Sequence, residues 1–318
     1  MFTTEIIHFL QQIDGTVFHA FMVLVSAMGI TPWIITVVIG ITFAIDFKKG
    51  LVLINLVAWT AFITIFAKEQ VNYPRPSQID SQLKFSQYEK IDQDYSHLLP
   101  TSFFEVLSEE LIEKVAPSNI DLMGFPSGHT SAQVALWMGL AFLFKKRWIK
   151  ITGIIVVLLT GLSRMYLGSH FLGDIIGGLL IGLAISLILI SLIQRTKYMK
   201  KQTHDTKSLL FLWLPFFLIA LAPYTPHWLS GSVIGINLAA LLVILKRNFP
   251  IFHSVTWKRI AAAAITLTFF FIAFYYSYNV KFSNNDYIDI ILIALLTFGI
   301  IKGSIFINRK LHFINFKV

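Results

Sequence analysis

Lys68, Arg75 and Arg164 are three cations at the edges of long apolar runs, and His129, His170 and Asp174 stand in the same kind of place. An ionisable group costs about 2.5–3.5 kcal/mol at the centre of an apolar layer and less near its edge. One such residue is commonplace: a lone lysine at a helix end snorkels, and a lone interfacial histidine usually packs or hydrogen-bonds. Six together ask for a shared purpose. Three gathered cations repel one another unless an anion sits among them. A phosphate dianion is the natural guest, because arginine grips its oxygens in pairs. Ser127 and Gly128 precede His129 where a helix is predicted to start, and the free N–H groups of such an end bind anions. His170 and Asp174 are four apart at the start of another predicted helix, so they share one face. A carboxylate that accepts Nδ1–H fixes the imidazole tautomer and leaves Nε2 free to attack. His129 is then available to protonate the leaving oxygen. This set describes phosphoryl transfer through a covalent phosphohistidine, with a cationic cradle for the transition-state charge.

The elements that must position these residues are membrane helices. The chain has 318 residues, 56% of them hydrophobic and only 14% charged, with a mean hydropathy of +0.71. A soluble domain carries about a quarter charged residues. Apolar runs of spanning length predict crossings over 17–45, 51–68, 128–144, 148–165, 172–194, 208–222, 231–246, 259–279 and 287–307. The first is longer than one bilayer core requires and is interrupted by Gly29 and Pro32. It reads as one kinked crossing, or as a short embedded helix followed by a span. The expected fold class is therefore all-α: a polytopic transmembrane bundle of about nine spans with an outward-facing loop subdomain.

Charge sets the predicted orientation. Lys48 and Lys49; Lys145, Lys146, Arg147 and Lys150; Arg195 to Lys207; Lys246 to Arg259; and Arg309 to Lys317 fall in alternate loops, which the positive-inside rule makes cytoplasmic. The long segment 69–127 has 4 basic and 10 acidic residues, a net charge of −6, and is expected outside. The overall charge of +9 is thus a topology signal and not a nucleic-acid footprint. The absence of cysteine excludes thiolate nucleophiles, disulfides and Cys-ligated metals, and no HExxH-like metal cluster stands out.

The expected division is an amphipathic N-terminal segment over 1–16, a membrane core over 17–194 with an outward loop or lid at 77–123, and a C-terminal extension of about four spans over 195–318. Residues 1–16 lack the basic start and long apolar core of a cleavable signal. They read instead as a short helix offering Ile6, Ile7, Phe9 and Leu10 to the membrane surface, or as a frayed terminus. Within the loop, Ser102 to Val115 has helical spacing with Ser102 as a plausible N-cap. It is either a lid or a solvated surface helix. His227 and Trp228 fall in a second outward loop.

In order along the chain stand Lys68-x6-Arg75-Pro76, Pro126-Ser127-Gly128-His129 and Ser163-Arg164-x5-His170-x3-Asp174. These residues closely resemble the three-part motif of the phosphatidic-acid-phosphatase type 2 superfamily, which includes lipid phosphate phosphatases, glucose-6-phosphatase and the vanadium haloperoxidases. The resemblance covers about residues 17–194. It implies that Lys68, Arg75, Ser127, Gly128 and Arg164 bind phosphate, that His129 is the acid, His170 the nucleophile and Asp174 its partner, and that no metal or cofactor is required. Many relatives have six spans with the N-terminus inside. The nine-span layout read here, with the N-terminus outside, is similar to glucose-6-phosphatase instead.

The expected activity is metal-independent hydrolysis of a lipid phosphate or diphosphate on the extracytoplasmic side of a bacterial plasma membrane. The expected partners are that substrate and membrane lipids, with no nucleic acid. Hydrolysis of a soluble sugar phosphate and phosphotransfer between lipids use the same residues and remain open. A transporter or flippase is the reading from a different class; it would show paired halves or matching interrupted helices, and no internal repeat is evident in this sequence.

Overall fold

The computed structural model describes residues 1–13, 15–88, 93–116, 122–195, 210–245, 250–279 and 282–316. The helices are α1 (Glu5–Gln11), α2 (Thr16–Ala27), α3 (Thr31–Ala44), α4 (Phe47–Val71), α5 (Glu109–Val115), α6 (Gly128–Phe144), α7 (Arg147–Tyr166), α8 (Leu172–Arg195), α9 (Leu210–Trp213), α10 (His227–Leu245), α11 (Thr256–Asn279) and α12 (Asp286–Lys310). One short antiparallel ribbon accompanies them, β1 (Pro250–Phe252) with β2 (Ile314–Phe316). The chain is a polytopic helical membrane protein. Several basic and acidic residues used above to set orientation lie outside the described residues: Glu89, Lys90, Asp92, Asp121, Lys197, Lys200, Lys201, Lys207, Lys246, Arg247 and Lys317.

Among the described residues, six helices are long and apolar enough to cross a membrane, and α2 with α3 passes the same test only as a pair, giving up to seven. The nine expected crossings are not all matched, for local reasons. At 17 residues, α6 rises roughly 25 Å, short of a hydrocarbon core of about 30 Å. The run predicted at 208–222 begins outside the described residues and continues as α9 and a 3-10 helix, Leu214–Tyr224. Pro215 and Pro223 lie in that segment, and each lacks the N–H that an α-helical ladder needs. Residues 28–30, around Gly29, separate α2 from α3, where the sequence predicts the interruption.

The chain forms two compact units, Met1–Ile30 with Ile63–Ser186, and Thr31–Phe62 with Leu187–Val318. The second takes in residues 31–62, which the sequence groups with the 17–194 core. Within this unit Arg259 Nε donates to Ala44 O at 2.5 Å, tying α11 to the end of α3. Asn55 Nδ2 donates to Asn237 Oδ1 at 3.1 Å. Along α10, a Cβ on Gly235 would come within 2.3 Å of Ala294 O on α12, so the two backbones touch as small residues allow between membrane helices. His227 opens α10, 3.1 Å from Asp286 and 3.8 Å from Asp289, and Trp228 meets Phe274 edge-on.

In the first unit, α7 shows its origin in the apolar layer. Ile151, Ile154, Ile155, Leu158 and Leu162 are exposed along one stripe, while Gly153, Thr160, Ser163 and Arg164 are buried on the other side. That is the inverse of a soluble amphipathic helix. α8 docks on α6 through glycine: a Cβ on Gly178 would lie 2.4 Å from Ser127 O, and one on Gly182 would lie 2.7 Å from Val134 Cβ.

The acidic outer segment is a packed subdomain. Ile79, Leu83, Leu107, Leu111 and Val115 share a core with Phe2 and Ile7 from the N-terminus, with Met165 and Ile175 from α7 and α8, and with Phe171 from the loop between those two helices. Each fully buried aliphatic side chain contributes about 1.5–3 kcal/mol. The N-terminal segment therefore turns Ile7 inward, and Gln11 donates to Tyr166 O at 2.7 Å. The loop helix starts later than its spacing predicts. Ser108, not Ser102, is the N-cap, accepting from Leu111 N at 3.3 Å, and Glu109 and Glu110 favour that start electrostatically. Ser102 N–H instead donates to Glu105 Oε2.

Asp94 closes the loop by accepting from Ser81 N, Ser81 Oγ, Ser96 N and Ser96 Oγ at 2.5–3.1 Å. Hydrogen bonding, that from Ser96 first, pulls its pKa down to about 2. An unfolded aspartate titrates near about 3.9. The contribution of Asp94 is thus fully present above about pH 4, and it is lost as pH falls through about 2. Hydrogen exchange at Ser81 and Ser96, corrected for intrinsic rates, should lose protection over that interval, and Asp94→Ala should lose it at neutral pH. Gly178→Val should overpack α8 against Ser127 at a cost of about 1–3 kcal/mol. Thermal unfolding in detergent should show a lowered transition, and an unchanged one would mean that α8 is not held there.

Candidate active site

Every residue singled out from the sequence as a phosphate binder or catalyst lies in the first unit. Lys68 is in the last turn of α4, and Arg75 directly precedes the 3-10 turn Pro76–Gln78. Ser127 caps α6, and Gly128 and His129 form its first turn. Arg164 is in the last turn of α7. His170 lies in the short loop between α7 and α8, and Asp174 is in the first turn of α8.

Backbone bonds lace these segments together. Gly124 N donates to Tyr73 O at 2.7 Å, Ser127 N to Asp174 O at 2.9 Å, Ser77 N to Gly168 O at 3.2 Å and Ser169 N to Arg164 O at 3.0 Å. Side chains add to this. Lys68 Nζ donates to Met123 O at 2.6 Å, and Arg75 Nη1 to Ser169 O at 3.3 Å. Gly168 makes the close turn after α7 with φ +62°, a left-handed conformation that glycine adopts without strain.

The two histidines are held differently. His170 Nδ1 lies 3.2 Å from Asp174 Oδ2, which also accepts from Phe171 N at 2.8 Å. Both side chains are buried, at 2% and 0% exposure. The pair is thus oriented as its i, i+4 spacing predicts. Burial holds the His170 imidazole well below its usual pKa, and Lys68, Arg164, Arg75 and His129 push the same way. Burial and these cations thus favour the neutral imidazole, whose free nitrogen carries a lone pair. His129 Nε2 is buried with no hydrogen-bond partner. Its ring fits against Gly29, where a Cβ would come within 2.7 Å of His129 Cδ2.

The cradle residues are buried in a low-dielectric setting. Lys68 and Arg75 are under a tenth exposed, and Ser127 and Arg164 are fully buried. Ser127 Oγ accepts from Thr130 N at 3.5 Å and from Thr130 Oγ1 at 3.0 Å. Its remaining hydrogen-bonding capacity is therefore its own O–H, a donor for an anion. Arg164 Nε and Asp174 Oδ1 are buried without partners. Among the described residues, no group of three or more His, Cys, Asp or Glu side chains is placed to hold a metal ion.

Three contacts were not legible in the sequence. Ser26 accepts from Arg164 Nη1 at 2.7 Å, Gln87 Oε1 accepts from the same nitrogen, and Tyr88 Oη accepts from Arg164 Nη2 at 3.2 Å. Gln87 and Tyr88 belong to the outer loop, where composition marks the segment but no spacing marks a residue.

Residues 49–198 match the family model described as the PAP2 superfamily. A lipid A 4'-phosphatase from Bacteroides thetaiotaomicron is 39% identical over 59 residues, which is 19% of this chain and 26% of that protein. Phosphatidylglycerophosphatase B from Bacillus subtilis is 35% identical over 89 residues, 24% of this chain and 44% of the relative. Undecaprenyl-diphosphatase BcrC, also from Bacillus subtilis, is 38% identical over 64 residues, 20% and 32% of the two chains. The matches thus span from about a quarter to under half of the length of these relatives. No solved structure gives a significant match.

Proposed function

We propose that this chain, a PAP2 superfamily protein over residues 49–198, is a membrane phosphatase that hydrolyses a lipid phosphate or diphosphate without a metal, through a phosphohistidine. The observation that carries this reading is the buried His170–Asp174 pair set among Lys68, Arg75 and Arg164. An oriented imidazole beside three cations suits attack on the phosphorus atom of a bound phosphate. The similar proteins named as acting on lipid A, phosphatidylglycerophosphate and undecaprenyl diphosphate support a lipid-borne substrate. So does a site at the ends of membrane helices, where a substrate can keep its tail in lipid.

In the proposed reaction, His129 takes up a proton as the phosphate anion enters and offsets the neighbouring cations; His170 Nε2 then attacks phosphorus as the phosphorus–oxygen bond to the leaving group breaks, and His129 gives that oxygen its proton. Asp174 stays a carboxylate and balances the charge that the imidazole gains. Lys68, Arg75, Arg164, the Ser127 hydroxyl and the free N–H groups opening α6 stabilise the equatorial oxygens. Water, deprotonated by His129, then attacks the phosphohistidine. The nitrogen–phosphorus bond breaks, inorganic phosphate leaves and both histidines are restored. The acidic segment 69–127 and the basic loops support a topology with this site on the extracytoplasmic side, and the bacterial relatives support a bacterial plasma membrane.

Detergent-purified protein should release phosphate in EDTA from a panel of lipid and sugar phosphates, with the lipid members preferred. His170→Ala should lower turnover by about 10⁴-fold or more and abolish the phosphoenzyme with it. Near-normal activity in that variant would end the mechanism, and preference for a sugar phosphate would end the lipid assignment. His129→Ala should slow a poor alcohol leaving group by about 10²–10⁴-fold and an activated aryl phosphate far less. Equal losses on both substrates would remove His129 from the acid role.

A further inference from the structure

Two residues outside the motif hold the arginines of the proposed cradle: Tyr88 touches both, and Gln87 touches Arg164. The Arg75 guanidinium lies 3.8 Å over the Tyr88 ring, and Arg164 Nη2 donates to Tyr88 Oη at 3.2 Å. One phenol therefore serves two cations, its face taking one and its oxygen the other. Gln87 Oε1 and Ser26 Oγ take both hydrogens of Arg164 Nη1. These contacts leave Nε–H and one Nη2–H of Arg164, and the Nε side of a guanidinium is an edge with which it can hold an oxyanion by two parallel bonds. Arg164 Nε is buried and has no protein partner.

The strand of loop that carries these residues is firmly held. Gln87 N donates to Leu167 O at 3.2 Å. Gln11 Oε1 accepts from Lys84 N at 2.7 Å and from Phe85 N at 3.3 Å, while its Nε2 donates to Phe85 O at 3.0 Å. The Phe85 ring packs against Tyr166 and His19 at centroid distances of 5.1 and 4.5 Å. These bonds and ring contacts tie this strap of loop to α1, α2 and the end of α7.

We propose that Tyr88 and Gln87 are positioning residues. They hold Arg164 with its side-on edge presented to the phosphoryl group and hold Arg75 beside it, so that the cradle is formed before substrate arrives. The inference rests on the phosphatase reading. Its physical basis is that two neighbouring guanidinium groups would otherwise move apart toward water, and a shared aromatic ring supplies the electron density that keeps them together. A cradle formed in advance binds phosphate without paying for rearrangement.

The test uses full-length purified protein with the lipid phosphate that the wild type cleaves best, and inorganic phosphate as a competitive inhibitor. In Tyr88→Ala, KM and the phosphate Ki should rise together by about three- to tenfold, with kcat within about twofold. Tyr88→Phe, which keeps the stack and loses the acceptor, should rise less. Unchanged KM and Ki in an active Tyr88→Ala would overturn the proposal, as would a loss confined to kcat. A fall in Ki would also overturn it, by showing that Tyr88 competes with phosphate. Where Tyr88→Ala shows no cooperative thermal transition, Tyr88→Phe decides, and there an unchanged Ki refutes. Wild-type protein that releases no phosphate refutes the phosphatase reading and this inference with it. An active wild type with insensitive variants refutes this inference alone.

Discussion

Mutual repulsion among three buried cations is the constraint on which the first unit depends. Two unit charges about 6 Å apart at an effective dielectric of about 20 repel by roughly 3 kcal/mol, and Lys68, Arg75 and Arg164 all act on the same imidazole. The fold answers with oxygen and aromatic electrons at each of them. Lys68 is given the carbonyls of Met123 and Gly124, Arg75 the carbonyl of Ser169 and the Tyr88 ring, and Arg164 three side-chain acceptors. The loops that join the helices provide these carbonyls, because loop C=O groups are not used up in a helical ladder.

This constraint explains why the outer segment is packed and not merely solvated. A charged, flexible excursion could not keep Gln87 and Tyr88 against two arginines. Ile79, Leu83, Leu107 and Leu111 give the loop a core, and Phe2 and Ile7 complete it from the other end of the chain. The N-terminal residues thus act as a brace on the site's surroundings. Hydropathy alone reads them as material for a membrane surface, because it records how apolar a side chain is and not which neighbour will cover it.

The motif residues were legible because their chemistry is local. His170 and Asp174 meet through i, i+4 spacing, and Ser127 caps the helix that its position announces. The helices of the core were legible from apolar length. What could not be read depends on tertiary partners. Ser26 is an ordinary helix serine until Arg164 donates to it, and Gln87 and Tyr88 lie in a stretch with no period. The start of the loop helix shifted from Ser102 to Ser108 because both serines satisfy the same local rule, and only the neighbouring Glu109 and Glu110 break the tie. The crossing count depended on lengths near the limit, as in α6, and on prolines that divert a run from α-helical form.

The bond from Ser127 N to Asp174 O joins main chain to main chain. It couples the residue that caps α6 to the residue whose carboxylate pairs with His170, and it does so without using any side chain. Chemistry and shape are thereby separable in this molecule. On the proposed reaction, a protein stripped of the His170 imidazole keeps this frame, so loss of turnover need not mean loss of recognition. An inactive descendant of such a fold would, on the same reading, have a ready second career as a lipid-phosphate receptor.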